Sequence, residues 1–286
     1  MQKGWARQPL LDCNLDRARF YRVRPLQRFR ISRWDYYGVT SPDLYFSAPL
    51  ADLGYGGQVF NLVDFADGTY HESVLIDWPE MRGGAGFLTL VGNETSPANV
   101  VLDGEGTIEE TGILVLGIAA IRGIEITGFR EEGLEVNFGL MFVDNCRIIN
   151  NGTGTGYDGV GVFGARADIS NTVIANNGDS GIEIEDGASN VHLSNVEITG
   201  NANHGIEVDD SSHVHLGGGT LLIQSNGGIG VRAWDGSSVN FNGEAGLTIQ
   251  LNPGGSMSAR YHSTIRGYGS GTTGSCSADT QSICEP

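Results

Sequence analysis

One short pattern returns through the middle of the chain and limits what the chain can become. Gly181-Ile182-Glu183-Ile184-Glu185 is followed by Gly205-Ile206-Glu207-Val208-Asp209. Gly133-Leu134-Glu135-Val136 and Gly159-Val160-Gly161-Val162 lie upstream, and Gly228-Ile229-Gly230-Val231 downstream. The steps from Gly133 are 26, 22, 24 and 23 residues, and an earlier copy begins at Gly112. Each copy contains three alternating runs, in the clearest case Ile182/Ile184, Val191/Leu193 and Val196/Ile198. Period-two alternation places these residues on one face and Glu183, Glu185, His192 and Glu197 on the other. Three such short strands cannot bury their apolar face alone, so the copies must stack on one another.

Stacked three-strand coils give an all-β fold, a right-handed parallel β-helix with three walls and an apolar interior. Val59–Val63, Ser73–Ile76, Phe87–Val91 and Val100–Leu102 supply two earlier coils. The total of about eight, at roughly 4.8 Å per coil, makes a prism about 40 Å long. An asparagine closes the third run of each coil: Asn151, Asn177, Asn201, Asn226 and Asn252. Asn145, Asn171 and Asn195 mark the preceding corner. Amides stacked at a corner can donate and accept along the column, a structural role and not a ligand-binding one. Cys146 falls on an inward position and reads as a small core residue. The extra residues around Gly152–Tyr157 predict a loop leaving the coil at Asn151. The solenoid is placed at 59–252, between an N-terminal arm, 1–58, and a C-terminal Gly/Ser-rich cap or tail, 253–286. Cys276 and Cys284 are close enough for a bridge that nothing in the sequence requires.

Charge divides the chain. Residues 1–35 hold nine of the 17 Lys/Arg and three acids, a local +6, so the remainder carries −23 of the overall −17 balance. An acidic body repels nucleic acid and anionic membrane. No segment approaches the apolar length of a membrane span, and the N-terminus lacks the apolar core of a signal peptide. No Cys/His spacing suits a metal.

Asp67-Gly68-Thr69-Tyr70-His71-Glu72, Leu88-Thr89-Leu90-Val91-Gly92-Asn93 and Pro97-Ala98-Asn99-Val100-Val101-Leu102 resemble the entry to a pectate-lyase-like β-helix. The Gly92-Asn93…Pro97…Asn99-Val100-Val101 ending resembles β-helix proteins that bacteriophages carry on tails and virions. The resemblance covers residues 59–250 and implies the fold. The matched residues belong to turns and core. The Asp/Asp, Arg and Gln set of a pectin-esterase-like site and the Gly-His-Gly and Arg-Ile-Lys motifs of a polygalacturonase-like site are absent.

Candidate chemistry lies on outward positions. Glu183 and Glu185 align with Glu207 and Asp209 one coil on, as stacked carboxylate pairs. Carboxyl groups about 5 Å apart suit a retaining glycosidase, and diagonal pairs an inverting one. The same cluster could hold Ca2+ or form a solvated acidic face. Phe163, Trp234 and Tyr157 could stack on sugar rings or simply pack. His192 and His215 form a column without an evident third ligand. Arg19, Arg22, Arg24, Arg28, Arg30 and Trp34 belong to a basic, aromatic arm that could dock on a protein assembly, cap the solenoid or meet nucleic acid. The expectation favours docking, which gives a phage virion spike, made in the host cytoplasm. It would form a homotrimer, attach to other virion proteins through residues 1–58 and contact host surface polysaccharide. A glycoside hydrolase or polysaccharide lyase, and a ligand-free capsid cement protein, are the alternatives.

Overall fold

Parallel stacking turns each alternating run into one rung of a wall, and three walls result. The computed structural model describes residues 33–40, 44–52, 58–76, 87–105, 110–154, 156–187, 190–217, 219–241, 246–268 and 275–286. Among these, strands form a 12-stranded, an 8-stranded and a 9-stranded sheet. The single-turn 3-10 helix Pro97–Asn99 is the helical element among the described residues. Successive coils visit the three sheets in turn. In one coil Asn190–Ser194 lies in the 12-stranded sheet, Val196–Thr199 in the 8-stranded sheet and Ile206–Val208 in the 9-stranded sheet.

The inward residues of these strands are closed to solvent. Val191, Leu193, Val196, Ile198, Ile206 and Val208 are each at most 2% exposed. Each such side chain contributes about 1.5–3 kcal/mol by leaving water. The predicted core of the repeat is therefore the observed core, and Cys146 is buried within it.

The repeat's glycine and its asparagine are two halves of one contact. Asn177 and Asn201 each donate from Nδ2 to the Oδ1 of the next ladder asparagine, at 2.9 Å in both cases. Their backbone N–H groups donate to the same oxygens at 3.0 and 3.1 Å. The ladder runs from Asn151 to Asn252, all buried. A Cβ at Gly159 would sit 2.5 Å from the Asn177 amide nitrogen, and one at Gly133 2.5 Å from that of Asn151. Glycine recurs there because the amide ladder occupies the space a side chain would need. The Asn145, Asn171 and Asn195 column is different: it lies outside, in the left-handed backbone region at φ 52°, 50° and 54°, where asparagine is tolerated.

A third column was not foreseen. Ser212, Ser237 and Ser263 are buried, and each accepts the backbone N–H of the serine before it where there is one, at 3.1–3.2 Å. Ser282 extends the series by accepting from Ser263 at 3.2 Å.

The register corrects the repeat at one copy. Ile206, Glu207 and Val208 pair with Val231, Arg232 and Ala233. Gly230, not Gly228, is thus the equivalent of Gly205, and Arg232 stands beside Glu207. Pairing also runs beyond the boundaries drawn at 58 and 252. Arg33–Thr40 and Leu44–Asp52 add antiparallel to Gln58–Phe65. Gly255–Ala259, Thr264–Arg266, Cys276–Ala278 and Ile283–Glu285 continue the parallel rungs. Cys276 and Cys284 are disulfide-bonded. They lie under Met257 and Ile265 in register and pack on the last of the core, so the bridge closes the C-terminal mouth of the prism.

Candidate functional site

The outer face of the 9-stranded sheet gathers most of the unusual chemistry. Its central outward column, in register, is Leu114, Glu135, Gly161, Glu183, Glu207 and Arg232. A second column precedes the repeated glycine in each coil: Thr111, Glu132, Asp158, Ser180 and His204. The two columns meet side by side.

Asp158 is only 2% exposed. It accepts the Ser180 N–H on Oδ1 at 2.7 Å and hydrogen-bonds the Glu183 carboxyl. Two carboxyl groups can bond only if one holds a proton. Burial, then the charge of Glu183, pushes Asp158 far above the ordinary carboxylate range. Burial also raises Glu183, although the hydrogen bond from Asp158 pulls it partly back. Asp158 therefore carries the shared proton and Glu183 faces outward beside it.

Glu207 is buried enough to be raised as well, but Arg232 and then Ser180 act against that. Ser180 Oγ donates to Glu207 Oε2 at 3.2 Å, and Arg232 pairs with Oε1. His204 accepts the Ile229 N–H on Nδ1 at 2.8 Å, which leaves its Nε2–H toward Glu207 Oε2, 3.9 Å away. Burial lowers His204 to about 4, so the ring is neutral at neutral pH. Thus two adjacent rungs present two carboxyls in unlike settings: Glu183 against a neutral acid, Glu207 against a guanidinium.

The flanks are aromatic or acidic. Phe163 folds over Gly161, where an added Cβ would lie 2.6 Å from its ring. Arg232 stacks on Trp234 at 4.1 Å, and Trp234 meets Tyr261 edge-on at 4.4 Å. On the N-terminal side Glu132 is buried, which raises it to about 7. Asn137 donates to Glu135 at 2.7 Å. The loop at 152–157 turns back over the preceding coil through Gly152 N–H to the Glu131 carbonyl, 2.8 Å, and Gly154 N–H to that of Arg130, 2.8 Å. Tyr157 from this loop bonds Glu131.

A family model described as a right-handed β-helix region matches residues 111–264. The chain belongs to the right-handed β-helix family. A model for a domain of unknown function, DUF2804, matches residues 1–87. No curated protein and no solved structure matches the chain.

In this β-helix the expected pair Glu183/Glu207 is in register. Glu185 lies further along the same strand and is raised by burial and then by Asp209 and Asp210. Asp209 groups with Asp210 and Asp235, with one carboxylate oxygen from each within 4.8 Å of the others. That turn is where the calcium expectation falls; three carboxylates there would leave the rest of the six to eight oxygens Ca2+ takes to backbone carbonyls and water. His192 and His215 stack in register on the outer face of the 12-stranded sheet, away from this wall. Arg19, Arg22, Arg24, Arg28 and Arg30 lie outside the described residues, and Trp34 is on Arg33–Thr40. The β-helix entry motif is structural: Asp67 accepts from Asn93 at 2.9 Å and Asn99 at 3.1 Å.

Asp158, Glu132, His204 and Arg232 were missed in the sequence. The first three share the position before the repeated glycine. That position has the same place in each copy, but its residue type changes from coil to coil and does not announce a column.

Proposed function

We propose that the outer face of the 9-stranded sheet binds a polysaccharide and hydrolyses its glycosidic bonds, with Glu183 as the acid and Glu207 as the carboxylate that meets the anomeric carbon. The observation that carries this reading is the register pair itself, with one member beside a protonated carboxyl and the other beside Arg232. Environments that treat two neighbouring carboxyls differently are how one site holds both an acid and a base. Adjacent rungs lie roughly 4.8 Å apart, near the separation of about 5–5.5 Å used by retaining glycosidases. In that reaction Glu183 passes the proton it shares with Asp158 to the departing oxygen while Glu207 forms the glycosyl ester. Glu183 then takes a proton from the water that releases the sugar. Asp158 keeps Glu183 oriented, and Phe163 and Trp234 offer ring faces for the sugars on either side.

The test is release of reducing ends from a broad polysaccharide panel. Wild type should release them, and folded Glu183→Gln and Glu207→Gln should not. Release from no polymer, or equal release by both variants, would remove the reading.

The charge split favours a setting for this wall. The basic arm attaches to a virion and the acidic prism projects as a trimeric phage spike that contacts host surface glycans. Deleting residues 1–50 should then abolish incorporation into particles. A deleted chain that still joins particles, together with a monomeric full chain, would leave the spike reading without support.

A further inference from the structure

We propose that this wall takes uncharged glycan chains and rejects chains rich in uronic acids. The inference rests on the polysaccharide reading above and names its substrate class. The wall is lined by Glu132, Glu135, Glu183, Glu185, Glu207 and Asp209. A uronate chain laid along it would bring a carboxylate to each sugar within a few ångströms of these groups. Like charges at that range repel, and the wall's partly buried carboxyls weaken the screening that water and salt would give.

The cations near this wall do not offset that. Arg130 is paired with Glu110 at 3.0 Å. Arg232 is paired with Glu207 and stacked on Trp234. Arg260 lies two rungs beyond Glu207, donates to the Ala259 carbonyl at 3.2 Å and already has the charge of Asp279 beside it. A uronate could recruit Arg232 only by taking it from Glu207. Burial and neighbouring carboxyls already raise Glu183 and Glu185, which is the response of a site that resists further negative charge.

What the wall offers instead suits a neutral sugar. Phe163 lies over Gly161, where the acidic column is interrupted. Trp234, held edge-on by Tyr261, flanks the column one coil beyond Glu207. Ring faces carry negative partial charge and attract the C–H edges of sugars, not carboxylates. His204, neutral at neutral pH, adds an uncharged ring between the two.

The experiment is affinity electrophoresis of the full chain through gels containing galactomannan, xyloglucan, an α-glucan or polygalacturonate, at low and high salt and with and without calcium. At least one uncharged polymer should retard the protein, with affinity that changes less than about twofold with salt. Polygalacturonate should bind at least roughly tenfold more weakly at low salt. It should gain affinity in the Glu185→Gln/Asp209→Asn double variant. Polygalacturonate binding as tightly as the best uncharged polymer, with or without calcium, would overturn the inference and leave the polysaccharide reading standing. Retardation by none of the four would overturn both.

Discussion

Replacing Asn201 by alanine tests the internal ladder where its bonds are fully described. The side chain makes four hydrogen bonds. Its Oδ1 accepts the Asn177 backbone N–H at 3.0 Å and the Asn177 Nδ2 at 2.9 Å. Its Nδ2 donates to Asn226 Oδ1 at 2.9 Å and to the Ile174 carbonyl at 3.4 Å. Asn201 and Asn177 are 1% and 2% exposed, so water cannot replace the lost partners without entering the core. The Asn177 backbone N–H is left with no partner, and the Asn177 Nδ2 keeps only its 3.2 Å bond to the Ile148 carbonyl. Orphaned buried groups cost about 1–3 kcal/mol each. The variant should therefore lose about 3–5 kcal/mol, a large part of the roughly 5–15 kcal/mol that holds a typical domain. Asn195→Ala is the control. It removes one bond to Asn171 at 3.2 Å and one from Thr220 at 2.9 Å, both at an exposed corner, and with the strain of alanine at φ 54° should cost about 2 kcal/mol. Urea unfolding of both variants reads the difference. A loss below about 1 kcal/mol in Asn201→Ala, or equal losses in the two, would refute the ladder as a determinant of stability.

Three further outcomes follow from the site and the cap. The folded-state Asp158 carboxyl is raised, so above the ordinary carboxylate range the folded chain holds more protons than the unfolded one. Stability then falls as pH rises toward the folded value. Asp158→Asn should flatten that decline in Tm between pH 5 and 9, and an unchanged slope would contradict the shared proton. Arg232→Met removes the cation that opposes the rise of Glu207, so the acid limb of kcat/KM should move to higher pH, with partial rescue by Arg232→Lys. A limb that stays in place argues against Glu207 as the ionised partner. Reducing Cys276–Cys284 should cost the last coils about 2.5 kcal/mol by loop entropy. Hydrogen exchange should quicken across 255–286 and remain unchanged at 182–209, and uniform protection after reduction would count against the closed mouth.

The fold was legible because stacking writes itself into the sequence as a period. Ile182, Ile184, Val191 and Leu193 alternate since each strand has one inner face, and Gly181 recurs with Asn201 since the two occupy one space. The site was half legible. Glu183 and Glu207 share a position in the repeat, so their pairing could be read. Asp158 is 25 residues from Glu183 and occupies a column whose residue changes in every coil, from Glu132 to Asp158, Ser180 and His204, so periodicity does not mark it. Arg232 was hidden by Gly228, which imitates the repeat two residues before the true frame at Gly230. The serine ladder escaped because Ser212, Ser237, Ser263 and Ser282 are spaced unevenly and serine is common in turns for other reasons.

The central claim is that function resides on one of three walls. Glycan retardation and reducing-end release should be compared across three double variants, each altering outward residues of one sheet: Glu183→Gln/Glu207→Gln, His192→Asn/His215→Asn and Gln224→Ala/Gln250→Ala. Loss confined to the first, with the other two indistinguishable from wild type, is the predicted result. Loss in either of the others with the first unaffected would place the function on another wall and contradict the account.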